Sequence, residues 1–162
     1  MSTNPQTMQL TTHPRAVIAR TALYLGALAV LGTGVVHIQQ YYSADYSSVP
    51  TIGTLFFLNF VSAVVIAAGL IAPLGRVAGR YADSIRALFA VGGIGLAVLS
   101  LVALFVSESS SLFGFAENGY RTPIVLAMVA EIAATVFLVI FLAVNGTGLH
   151  RKEQRKEPPP GR

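Results

Sequence analysis

Residues 122–144 read TPIVLAMVAEIAATVFLVIFLAV. From Pro123 to Val144 the only ionisable side chain is Glu131 and the only hydroxyl is Thr135. At 1.5 Å per residue, a helix of this length reaches about 30 Å, the thickness of a bilayer's hydrocarbon core. A strand is excluded, because the run does not alternate and is too long. A buried helix of a soluble protein can be equally apolar. The rest of the chain decides against that, since three more runs like it leave nothing to cover them.

Those runs extend over about 16–37, 51–74 and 85–106, the first carrying Arg20 one turn in. The 162 residues are enough for one domain, with 54% hydrophobic and 11% charged residues. A soluble domain carries about a quarter charged residues. Here nearly all the charge lies in the connections and tails. The chain therefore reads as an all-α integral membrane four-helix bundle over residues 15–148, with a polar N-terminus (1–14) and a basic, triple-proline tail (149–162) predicted to be disordered. Local signals mark the boundaries. Thr122-Pro123 and Pro50-Thr51 open the fourth and second helices, and Asp83 and Ser84 cap the third. Pro73 and Gly75 close the second, and Asn145-Gly146 closes the fourth.

Arginine and lysine set the orientation. Arg15 precedes the first run and Arg20 lies one turn into it, and Arg76, Arg80 and Arg86 lie at the connection between the second and third. Arg151, Lys152, Arg155, Lys156 and Arg162 follow the fourth. The other two connections hold only Arg121, so both termini are predicted to be cytoplasmic. Tyr41, Tyr42, Tyr46 and Tyr120 gather at the outer boundary and Tyr81 at the inner one, as interfacial rings do. A cleaved signal peptide is the rival reading of the first run. The run is long for one, and His37-Ile38-Gln39-Gln40 offers no small-x-small cleavage site.

Composition excludes several classes of function. The net charge of +4 comes from membrane-flanking residues, with no aromatic-rich basic patch for nucleic acid. The absence of cysteine removes disulfides, thiolate metal sites and cysteine nucleophiles. No nucleophile motif or phosphate loop is present, and no catalytic residue, metal site or cofactor is assigned. Nine arginines to two lysines, with abundant alanine, glycine and valine, fit a GC-rich bacterial genome.

Apolar side chains gain nothing by leaving lipid for each other, so close packing falls to small residues. These are Gly26, Gly32 and Gly34, then Ala63, Ala67 and Gly69, then Gly92, Gly93 and Gly95, and finally Ala127, Ala130 and Ala134. The same residues suit a compact monomer, a homo-oligomer or a contact with a membrane-complex partner.

Polar groups inside hydrocarbon are costly and mark sites. Glu131 lies eight residues past Pro123, roughly 12 Å below the outer boundary. Asn59 lies eight past Thr51, and Ser100 eight before Glu108. His37 closes the first run, with Thr33 one turn below it. Every helix thus brings a polar group to the outer half. The expectation is a ligand- or proton-binding pocket of His37, Asn59 and Glu131, with Thr33 and Ser100 in support and Glu117 and Arg121 at its entrance. The competing expectation is that these groups bond to one another as glue. A weak parallel between Val49-Pro50-Thr51-Ile52 and Thr122-Pro123-Ile124-Val125 hints at two related hairpins.

The stretch Gly34-Val-Val-His37, Tyr46 and Val49-Pro-Thr-Ile-Gly-Thr-Leu-Phe-Phe-Leu-Asn59 resembles small uncharacterised four-span proteins of high-GC Gram-positive bacteria. So does Leu112-Phe-Gly-Phe-Ala-Glu117 through Arg121 to Glu131. More distantly, the small-residue-rich first run resembles the DoxX-like group, in which a lysine commonly stands where this chain has His37. The first resemblance implies a four-span fold without an activity, and the second a redox association. The leading functional expectation is a multi-pass plasma-membrane protein binding a small ligand, proton or cation in an outward-facing pocket. An accessory subunit of a membrane complex comes second, and an enzyme acting on a lipid or quinone third.

Overall fold

The computed structural model describes residues 13–49, 51–109 and 122–154, all in helices and their turns. Helix α1 covers His13–Ser43, followed by a 3-10 turn at Tyr46–Ser48 and helix α2 over Ile52–Ile71. The short helix α3 (Leu74–Val77) and a turn at Gly79–Tyr81 lead into α4 (Ala82–Ser109), and α5 covers Thr122–Gln154. Each long helix is long and apolar enough to cross a membrane, over Pro14–Ser43, Ile52–Ile71, Gly79–Ser107 and Thr122–Gly146.

The four long helices form a ring in which α1 packs on α2 and α5, and α4 packs on α5 and α2. The closest seams are α1–α5 and α1–α2; the α2–α4 seam is the sparsest of the four. Small residues set these distances, as van der Waals packing between membrane helices requires. A Cβ on Gly34 would stand 2.7 Å from that of Ala63, and one on Gly26 would stand 2.9 Å from Leu138 Cγ. Gly93 lies where all four helices meet. A Cβ there would be 2.7 Å from Leu138, 3.3 Å from Val30 and 3.3 Å from Ile66. Leu138, Val30 and Leu70 are fully buried around this centre, with Ala63, Ala90 and Ala134. Gly95, expected to pack, has open space beside it. Large apolar side chains such as Leu28, Leu88, Leu99 and Val129 cover the outer flanks, an extent of exposure foreign to a water-soluble monomer.

The helix ends depart from expectation in informative ways. Helix α2 stops at Ile71 rather than near Leu74, because Ala72 precedes Pro73 and takes the extended ψ of 147° that a pre-proline residue favours. The carbonyls this leaves without helical partners are met from α4. Arg86 donates from Nε to Leu70 O at 3.3 Å and from Nη2 to Ala72 O at 3.2 Å, and pairs with Asp83 at 3.8 Å. The arginine counted above only as an orientation charge therefore closes a helix. Helix α1 runs past His37 to Ser43. Helix α5 runs through Asn145-Gly146 to Gln154, since glycine permits a left-handed stop without imposing one. Thr51 enters α2 at a φ of 68°, with no side-chain cap. This is a strained conformation for a β-branched residue, costing about 1–3 kcal/mol.

Candidate functional site

At the end of the bundle away from α3 lies a cavity of about 300 Å³, at the small end of ligand-pocket size. His37 and Gln40 line it from α1, Asn59 and Ser62 from α2, Ser100 and Ser107 from α4, and Glu131 from α5. The spacings are those of single helix faces: three residues, three, seven, and for Ala127 and Glu131 four. The C-terminal halves of α1 and α4 meet the N-terminal halves of α2 and α5, as an antiparallel ring requires. Most of the remaining wall is aliphatic, including Ile52, Leu55, Leu58, Leu96, Leu99 and Leu104. The ring of Phe56 stands between those of His37 and Tyr46, 4.8 Å from each.

A chain of hydrogen bonds crosses the floor. His37 Nδ1 lies 2.9 Å from the carbonyl oxygen of Thr33. A carbonyl only accepts, so Nδ1 carries a proton and donates it. His37 Nε2 lies 3.2 Å from Ser100 Oγ, and Ser100 bonds the Glu131 side chain. Two complementary arrangements satisfy this chain. With a neutral imidazole, Ser100 donates to Nε2 and accepts from a protonated Glu131. With an imidazolium, Nε2 donates to Ser100, which donates to a Glu131 carboxylate. The three side chains are jointly neutral as an acid–base set in the first and form a compensated pair in the second. One proton has two resting places, on α1 and α5, joined through α4. Glu131 is 1% exposed, so among the described residues its charge is compensated only along this chain.

Asn59 behaves differently. Its side chain is 8% exposed and lines the cavity, and among the described residues its Oδ1 has no hydrogen-bond partner. A bare buried carbonyl costs about 1–3 kcal/mol, and a ligand that donates to it returns that cost. Glue does not describe this residue, because it bonds to none of the others. The role expected of Thr33 also changes: its main-chain carbonyl holds His37, while its buried hydroxyl has no partner among the described residues. Thr135 donates to the carbonyl of Glu131 within α5 at 2.9 Å.

The structure thus joins His37, Ser100 and Glu131 directly and places Asn59 on the same cavity. Glu117 and Arg121, expected at the entrance, lie outside the described residues. Gln40 and Ser107, both buried, were missed because the hydropathy boundaries fell at His37 and Val106. Helical spacing places Gln40 three residues past His37 and Ser107 seven past Ser100, on the same faces. Ser107 donates to Leu104 O at 2.8 Å. Among the described residues no three His, Asp or Glu side chains converge as metal ligands do. No family model, curated protein or solved structure matches the chain.

Proposed function

We propose that the chain is a multi-pass protein of the bacterial plasma membrane, with cytoplasmic termini, that binds a small ligand in an outward-facing pocket. The observation that carries this reading is the cavity itself, into which all four helices direct polar groups around an Asn59 carbonyl that is unpartnered among the described residues. The orientation rests on the arginines and lysines, ten of eleven of which lie at the termini and the α2–α4 connection. The hydrogen bonds from α1 to α4 to α5 also hold three helices in register, as the accessory-subunit reading requires. That reading gives no reason for a cavity of ligand size or for the bare carbonyl beside it.

The test is a thermal-shift comparison of wild type and Glu131→Gln in detergent, against panels of lipids, quinones and cations across pH. Glutamine retains a donor and an acceptor for Ser100, so the variant is expected to fold with stability within about 1 kcal/mol of wild type. It is expected to lose a ligand- or pH-dependent shift that wild type shows. An unstable variant, together with a wild type indifferent to every panel member, makes the carboxyl structural and removes the reading.

A further inference from the structure

Helices α2 and α4 make their tight contacts toward the connection between them. Phe89 of α4 lies against Gly69 of α2, and Ile66 of α2 lies against Gly92 and Gly93. One turn further from that connection, Ser62 and Leu96 already belong to the cavity wall, which continues to Ile52 and Ser107. The cavity therefore occupies the part of the seam that side chains leave open. Two of its wall residues, Leu58 on α2 and Leu99 on α4, are also 51% and 71% exposed on the bundle's flank. Side chains that face a cavity and the outer flank together mark a lateral opening. On the reading above, which this inference rests on, the flank at that depth is hydrocarbon.

The interior chemistry sets what passes through. The wall is mostly aliphatic and takes an apolar body. Among the described residues the buried Asn59 Oδ1 is an acceptor without a donor, and Ser100 and Glu131 supply further hydrogen-bonding groups on the same floor. We propose that the pocket takes a membrane-dissolved amphiphile through the α2–α4 seam, its hydroxyl head donating to Asn59 Oδ1 and its apolar body resting along Leu58 and Leu99. A ligand whose head only accepts leaves the carbonyl bare and binds more weakly. A fully water-soluble ligand gains nothing from the aliphatic wall or the lateral opening.

The experiment uses the full chain in phosphatidylcholine vesicles and three photoactivatable diazirine probes: a fatty alcohol, its methyl ether, and a short water-soluble amine. Crosslinked positions are mapped by mass spectrometry. The alcohol is expected to label the cavity wall around Leu58 and Leu99 about tenfold more than the ether does, the worth of one well-placed hydrogen bond. Asn59→Leu is expected to bring the alcohol down to the level of the ether. Leu99→Trp, which narrows the lateral opening with a side chain 71% exposed in wild type, is expected to slow labelling by the alcohol and guards against misfolding of the Asn59 variant. Equal labelling by alcohol and ether, or labelling unchanged in both variants, overturns the proposal. If the soluble amine labels the cavity and the alcohol does not, the amphiphile is excluded while ligand binding stands. If no probe labels the cavity, both readings fall.

Discussion

Gly53→Ala is expected to destabilise the protein by about 3 kcal/mol, the upper end of the usual cost of overpacking, measured by unfolding in a denaturing detergent. An added methyl would overlap the main-chain carbonyl oxygen of Tyr46 and stand 3.3 Å from Ser47 Cα. Neither atom can swing aside as a side-chain end does. The first turn of α2 and the 3-10 turn before it would have to separate, and this junction already contains Thr51 at a φ of 68°. Tyr46 and Ile52 both line the cavity, so the damage reaches the site. Gly95→Ala is the matched control. It meets nothing within 4 Å, and replacing a mid-helix glycine is expected to stabilise by about 0.5–1 kcal/mol. Opposite signs for one added methyl at two helical glycines would show that packing, not propensity, sets the result.

Ser100→Ala is expected to cost about 1–2 kcal/mol and to uncouple His37 from Glu131. Side-chain hydrogen bonds in membrane proteins average about 0.6 kcal/mol, but this serine serves two partners, and its removal strands both. Stability alone does not separate a relay from glue, so the second readout is the ¹⁵N shift of the His37 ring. In wild type, Glu131→Gln is expected to move the Nε2 resonance, because the serine transmits the change in donor and acceptor roles. In the Ser100→Ala background the same substitution is expected to leave it in place. Ser107→Ala, which removes only a bond within its own helix, is expected to stay within about 0.5 kcal/mol of wild type.

The four helices were legible because the bilayer demands long runs free of charge, and that demand acts residue by residue. Glu131 was legible for the same reason, as the only charge in its run. His37, Asn59 and Ser100 followed from counting depth along each helix. What escaped the sequence depends on relations between residues. Thr33 acts through a main-chain carbonyl, which every residue has, so nothing in its side chain announced the role. Gln40 and Ser107 lay past the hydropathy edges, although the helical repeat carries their faces into the site. A pocket was expected from polar residues at one depth, but its size and its opening toward the α2–α4 seam had no signature, since they depend on how closely the helices pack. Gly95 shows the converse: it has the small-residue pattern of a contact but stands beside open space.

The most direct measurement of whether the cavity is a binding site is native mass spectrometry of the protein released from mild detergent, comparing wild type with Asn59→Leu. Wild type is expected to retain a bound small molecule as a discrete added mass, and the variant, folded by circular dichroism, to lose it. A bare wild-type spectrum under the gentlest release, or the same added mass on both proteins, would contradict the account.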